Sequence, residues 1–348
     1  MNTRVEHSAI TMILLVALLA AGGPARAAAQ ESESPSETLR VALFIPTTEG
    51  NTYWPEVVRV MRAAEAELNI ALTVHEFDVG DRFAKADEGV RILQREPVPD
   101  GAIFSVAYGQ AQPLMDAAEE QGIPFFLHGP LFPAELDALG GGPRRTYEQW
   151  IGYFHEDEEE KGYLLARELI NAAIAANPRR TDHPIRLVGV SGDPTWYGTV
   201  LREAGLRRAV AREPRAQLLQ VVPTRWTQQE GRDMTERLMN RYPDLTVVWA
   251  ASDQLALGAY EALRSAGRRP GIDTFTGGLD RSRVGREAVR AGHLTATVAA
   301  RNRMWSRVLH YLSNYLRGED FADSAGTEIL FAPVVATPAT VDSVSRRW

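Results

Sequence analysis

From Leu39 onward, apolar runs of strand length alternate with stretches of helical apolar spacing, and this alternation constrains the fold more than any other feature of the chain. Leu39–Pro46 is a continuous apolar run. Pro55–Leu68 then carries Val57, Val58, Val60, Met61, Ala64 and Leu68 at helical spacing, with Pro55 where a first helical turn accepts proline. The rhythm continues through a strand at 70–77, a helix at 82–94, a strand at 100–106, a helix at 110–121 and strands at 124–127 and 149–154. A Pro- and Gly-rich surface loop over 130–145 separates the last two. A second half reads helix 158–175, strand 185–190, helix 198–212, strand 217–222, helix 227–240, strand 246–250, helix 254–266, strand 273–276, helix 284–290 and strand 294–298. Strands alternating with helices imply right-handed crossovers and parallel sheets covered on both faces. The expected fold class is α/β, with two doubly wound parallel-sheet halves.

Arg4, an apolar core over 13–21 and the small-residue runs Ala25-Arg26-Ala27 and Ala27-Ala28-Ala29 make residues 1–29 an expected secretory signal peptide. The apolar run is shorter than the roughly 20 residues that span a bilayer. Residues 30–38, rich in Ser and Glu, are expected to be a disordered tether. The 348 residues hold no cysteine, which excludes disulfides, thiolate metal sites and a lipid-modified N-terminal cysteine. The mature protein is therefore expected to be free in the periplasm. A formal net charge of -7 is a poor match for nucleic acid or an anionic membrane, so neither is an expected partner. The chain shows no nucleophile elbow, zinc-type histidine pair or phosphate-cradling glycine loop in its required context, so no catalytic residue, metal or cofactor is expected.

In open α/β sheets ligands bind beyond the carboxyl ends of the strands, at the switch in strand order. The loops after the expected strands carry Glu49, Asn51, Tyr53 and Trp54, then Tyr108, then His128. In the second half they carry Asp193, Trp196 and Tyr197, with Arg202 in the following helix, then Ser252 and Asp253, and Asp280 after Gly277-Gly278. Flat rings cover C–H faces while guanidinium and carboxylate groups hold hydroxyls, a combination suited to a small polar or polyhydroxylated ligand. Plainer readings exist for each. Tyr53 and Trp54 could staple a helix start to the core, Asp253 or Ser252 could cap the helix at Gln254, Arg202 could be a solvated face residue, and His128 a satisfied structural histidine. The acidic run Glu156–Glu160 is better explained by the positive end of a helix dipole than by metal binding.

Together these residues resemble the type I periplasmic binding proteins over almost the whole chain from Leu39. Ala250-Ala251-Ser252-Asp253-Gln254-Leu255-Ala256-Leu257-Gly258-Ala259 resembles the family's strand followed by Asp-x-x-Ala-x-Gly-Ala. Asn51-Thr52-Tyr53-Trp54 resembles its first ligand loop, and Arg202-Glu203-Ala204-Gly205-Leu206 its Arg-x-x-Gly-(Phe/Leu) helix. Gly278-Leu279-Asp280 and Gly292-His293-Leu294-Thr295-Ala296-Thr297-Val298 resemble its Gly-x-Asp and Gly-x-Leu-x-Ala-Thr-(Ile/Val) segments. The resemblance implies two lobes joined by three hinge crossings near Phe154, Ala300 and Leu330. The N-terminal lobe would be 39–154 plus 301–329, and the C-terminal lobe 155–300 plus 330–345. It also implies a cleft lined by Asn51, Tyr53, Trp54, Arg202, Asp253 and Asp280.

Departures from the family pattern bear on the ligand. The family's ribose binders have asparagine where this chain has Ser252, glutamine where it has Ala300, and an Asp-Arg pair where it has His128-Gly129. Ribose is thus not the expected ligand, and Glu49 and Arg301 point to a differently substituted polar molecule. The resemblance implies a monomeric receptor that delivers a sugar-like ligand to the membrane permease of an ABC transporter. The alternatives are a receptor reporting to a membrane sensor protein such as a kinase and, less favoured, a secreted enzyme.

Overall fold

The computed structural model describes residues 37–47, 49–77, 82–178, 183–300 and 303–345. The expected signal peptide, the tether up to Ser36, and Arg301 lie outside them. The first sheet is built by β1 (Leu39–Pro46), α1 (Trp54–Leu68), β2 (Ile70–Phe77), α2 (Arg82–Leu93), β3 (Gly101–Ser105), α3 (Ala111–Glu120), β4 (Phe125–His128), α4 (Pro133–Ala138) and β5 (Trp150–Glu156). The second follows with α5 (Glu158–Ala176), β6 (Ile185–Val190), α6 (Tyr197–Ala211), β7 (Ala216–Val222), α7 (Gln228–Arg241), β8 (Val247–Ala250), α8 (Asp253–Ser265), β9 (Phe275–Leu279), α9 (Arg283–Arg290) and β10 (Thr297–Ala299). The chain then forms α10 (Arg303–Leu316), α11 (Ala322–Ala325), β11 (Glu328–Phe331), β12 (Val334–Ala336) and α12 (Val341–Ser345).

The sheets repeat one another. Their strand orders are β2-β1-β3-β4-β5-β11 and β7-β6-β8-β9-β10-β12, so each reverses direction of growth between its first and third strands. All pairings are parallel except β10 with β12, a correction to the expectation of parallel sheets alone. In β1 the reason for the continuous apolar run is visible. Val41, Leu43 and Ile45 pack in one core cluster and Ala42 and Phe44 in another, on opposite faces of the sheet. A parallel strand covered by helices on both faces has no solvent side, so period-two alternation disappears.

Glycines bring helices together backbone to backbone. A Cβ on Gly162 of α5 would collide with the Arg202 carbonyl of α6, and one on Gly205 of α6 would stand 2.6 Å from the Tyr163 nitrogen. The same device joins α7 to α8, where a Cβ on Gly258 would stand 2.6 Å from the Arg232 nitrogen.

Several boundaries differ from those expected. The Pro/Gly-rich segment 130–145 contains α4, because Pro133 suits a first helical turn. The strand expected at 273–276 runs over Phe275–Leu279, taking in Gly277 and Gly278. These glycines are strand residues because a Cβ at either position would meet Ala296 O or Asp253 Cα at 2.5–2.6 Å. The strand expected at 294–298 is reduced to Thr297–Ala299. The chain moves between sheets after Glu156, after Ala299 and between Phe331 and Val334.

Candidate functional site

A cavity of about 340 Å³ lies where the carboxyl ends of the two sheets face each other, and β1 to β9 all contribute their C-terminal ends or the loops that follow. This is where strand reversal opens a crevice in doubly wound sheets. Its volume suits a small molecule. Of the residues singled out in the sequence, Glu49, Asn51, Tyr53, Trp54, His128, Asp193, Trp196, Arg202, Ser252 and Asp280 stand in the wall.

On the first-sheet side, Asn51 shapes the loop. Its Oδ1 accepts from the backbone nitrogens of Tyr53 and Trp54 at 2.8 and 3.0 Å, which turns the chain into α1 and presents both rings. Trp54 meets Tyr53, Trp305 and His128 edge-on, at centroid distances of 5.0, 5.7 and 6.0 Å. Trp305 Nε1 donates to Tyr53 Oη at 2.9 Å. The stapling and lining roles of Tyr53 and Trp54 are thus not exclusive: both pack on the core and face the cavity. His128 is buried, with Nδ1 3.1 Å from Ser105 Oγ, so its satisfied-histidine role also coexists with a place in the wall.

On the second-sheet side the wall is charged. Arg202 is 5% exposed, which overturns the solvated-face reading. Its Nε donates to Glu158 Oε2 at 2.6 Å and its Nη1 to Ala251 O at 2.6 Å, with Asp280 Oδ1 3.7 Å away. Its guanidinium lies over the Trp196 ring at 4.8 Å and the Trp226 ring at 5.7 Å. Lys161 Nζ sits 2.7 Å from Glu156 Oε2 and 3.1 Å from Glu158 Oε2. Burial pushes the Asp280 carboxyl up to about 8, with the Arg202 and Lys161 charges opposing. Burial also acts to raise Glu158, but Arg202 and Lys161 outweigh it and the group lies below the usual carboxylate range.

Two expectations are corrected. Asp253 does not line the cavity: it is wholly buried, its carboxylate accepting from Ser282 N and Oγ at 2.8 Å each and from Thr297 Oγ1 at 2.5 Å. It is the first residue of α8, and Ser252 is the cap, with Oγ accepting from Leu255 N at 3.2 Å. Asp253 anchors the loop that carries Asp280 instead of touching the cavity. Tyr108 is 50% exposed outside the wall, its ring against Phe132. The acidic run does open a helix, with Asp157 capping α5 by accepting from Glu160 N at 2.9 Å and Glu158, Glu159 and Glu160 in its first turn, and Glu156 and Glu158 also line the cleft.

Sequence reasoning missed Glu156, Glu158, Lys161, Trp226, Gln254 and Trp305. All but Trp305 follow an expected strand or open the next helix, so position after a strand was the available signal. Trp305 comes from α10, in a C-terminal stretch with no strand–helix period.

The two sheets also touch directly. Gln254 Nε2 donates to Gly50 O while its Oε1 accepts from Thr52 N at 3.1 Å. Glu56 accepts from Arg283 N at 2.7 Å and pairs with Arg286 at 3.1 Å. Tyr108 N donates to Thr195 O at 3.1 Å.

A family model described as periplasmic binding protein domain matches residues 41–320. The chain belongs to the periplasmic binding protein family. Among curated relatives of this type I periplasmic binding protein, the ribose import binding protein of Salmonella typhimurium is 30% identical over 174 residues, 48% of this chain and 57% of the relative. Its Escherichia coli counterpart is 34% identical over the same length. The chain thus spans little more than half the length of these curated relatives. A periplasmic sugar-binding protein from Pseudomonas fluorescens superposes with a TM-score of 0.77 at 27% identity, covering 88% of this chain and 89% of that one. The fold of this chain is two α/β lobes with the cavity where their sheet ends face, and among the described residues no helix is long and apolar enough to cross a membrane.

Proposed function

We propose that this protein is a periplasmic receptor that closes two lobes on a small, polyhydroxylated, sugar-like ligand and delivers it to an ABC permease. The observation that carries the reading is the cleft itself: aromatic faces from one lobe oppose the Arg202–Asp280 pair from the other around a cavity of about 340 Å³. Rings that cover C–H faces and charged groups that hold hydroxyls are what a sugar needs. Hydrogen bonds to charged groups contribute on the order of 1.5–3 kcal/mol each, so a few set the affinity.

Delivery to a permease follows from relatives whose names state import, and secretion from the leader read over 1–29. Lobe limits follow sheet membership, with crossings after Glu156, after Ala299 and between Phe331 and Val334. Ribose remains disfavoured. Ser252 Oγ is taken up in capping α8, and His128 sits against Ser105 and aromatic rings, so neither replaces the amide and carboxylate of the ribose binders.

The test is a panel of pentoses, hexoses, furanoses and polyols read by intrinsic fluorescence and melting temperature. One or more members should shift both signals. A broad panel that moves neither contradicts the receptor reading. For the transport step, deleting the gene should abolish uptake of the radiolabelled ligand; unchanged uptake with loss of a transcriptional response would assign the protein to sensing instead.

A further inference from the structure

The second-sheet wall of the cleft is organised around Glu158, the first residue of α5. Two glycines place it. Gly162 lies four residues after Glu158 and Gly205 three after Arg202, and at both positions a Cβ would run into the backbone of the opposing helix. With α5 and α6 this close, Glu158 Oε2 comes within 2.6 Å of Arg202 Nε, and both residues are only 5% exposed. The remaining reach of Arg202 is directed at Ala251 O and Asp280, and the Trp196 and Trp226 rings lie against its face. Lys161, the other buried cation of the wall, is likewise committed, between Glu156 and Glu158.

The consequence is a cleft whose buried positive charges are matched within the protein while carboxylates remain in excess. Glu49, Glu156, Glu158 and Asp193 line it against Lys161, Arg202 and Arg225, with Glu49 and Arg225 both exposed, and Asp280 adds a carboxyl that burial pushes up to about 8 and that carries its charge only above that pH. A carboxylate entering here meets like charge in a partly desolvated site, where such repulsion is little screened. Resting on the sugar-receptor reading above, we propose that Glu158 is a positioning and specificity-determining residue: by holding Arg202 through Nε it presents the guanidinium in one orientation and withholds its charge from anions. The cleft therefore accepts uncharged polyhydroxy ligands and rejects their carboxylate-bearing counterparts.

Two measurements test this. Calorimetry compares neutral sugars with their uronic or aldonic acids, for example D-galactose with D-galacturonate and D-glucose with D-gluconate, on the parent, Glu158→Gln and Glu158→Asp. The parent should favour the neutral member at least tenfold; Glu158→Gln should narrow that ratio at least tenfold by leaving Arg202 without its counter-charge, and Glu158→Asp should restore most of it. A parent that binds the acid as tightly as the neutral sugar, or a ratio unchanged in Glu158→Gln, overturns the proposal. The second measurement needs no ligand: the Arg202 Nε–H signal in a ¹⁵N spectrum, assigned by its loss in Arg202→Lys. It should exchange slowly with solvent in the parent and at least tenfold faster in Glu158→Gln. If no sugar binds, the receptor reading fails while the spectrum still decides the positioning role, and rapid exchange of that proton in the parent overturns it.

Discussion

Asp280 occupies φ +103° and Trp226 φ +72°, backbone conformations that side chains other than glycine rarely adopt, and both residues face the cleft. Such conformations cost on the order of 1–3 kcal/mol each and persist where surrounding contacts fix them. At Asp280 those contacts come from Asp253, which binds Ser282 two residues on, and from Thr297, whose Oγ1 accepts from Arg281 N at 3.1 Å. Asparagine tolerates positive φ about as well as aspartate, so Asp280→Asn isolates the charge. Because the folded chain holds the Asp280 proton up to about 8, it binds more protons than the unfolded chain between the ordinary carboxylate range and that pH. The parent should therefore lose stability relative to Asp280→Asn as pH rises through this window, read from paired urea titrations. A difference that stays flat with pH would contradict the burial of this carboxyl. Arg202→Ala should do more than weaken binding. It leaves Glu158 buried beside Lys161 alone, and removing one partner of a buried ion pair destabilises by roughly 3–5 kcal/mol, so the melting temperature should fall as well. That cost was not legible in the sequence. Arg202 reads there as a candidate ligand contact or a solvated face residue, and only the depth at which α5 and α6 meet shows its burial against Glu158.

The helices owe their positions to the residues that the family pattern marks. Gly205 in Arg202-x-x-Gly205 and Gly258 in Asp253-x-x-Ala256-x-Gly258 are the points where α6 and α8 touch their neighbours backbone to backbone. Gly205→Ala should destabilise the fold by about 1–3 kcal/mol through forced separation of α5 and α6. Because the same separation pulls Glu158 from Arg202, it should also weaken ligand binding; unchanged affinity would show that the two helices are not set by this contact. Strands such as β1, β3, β4 and β8 could be read from sequence because burial on both faces leaves a continuous apolar run, whereas the partly exposed edge strands β2 and β7 were read from their place in the strand–helix rhythm. β9 shifted because its glycines read as a loop, whereas crowding by Asp253 and Ala296 requires them inside the strand. The short edge strands β11 and β12 have no such run and lie partly exposed, so they left no comparable signal.

At the scale of the whole molecule, the lobes meet through Gln254 on one rim and the Glu56–Arg286 pair with Arg283 N on another. On the proposed closing motion these contacts form only with the lobes together, so they would bias the open–closed equilibrium to which ligand binding would be linked. Removing the partly buried Glu56 contact with Glu56→Gln should cost the closed state about 1–2 kcal/mol and weaken ligand binding by about five- to thirtyfold, with a larger radius of gyration in solution scattering. Two sheet-centred halves could be inferred from the repeating strand–helix rhythm, and their facing each other from the family resemblance; the Gln254 and Glu56 contacts join residues more than 200 positions apart and could not be inferred. The central claim is that the gap between the sheets is a ligand site. It is tested most directly by a crystal structure of the protein purified from its host without refolding. The account predicts density for a small polyhydroxylated molecule stacked on Trp54 and within hydrogen-bond distance of Arg202 or Asp280. A cleft filled by the protein's own side chains, or a ligand bound elsewhere on the surface, would contradict it.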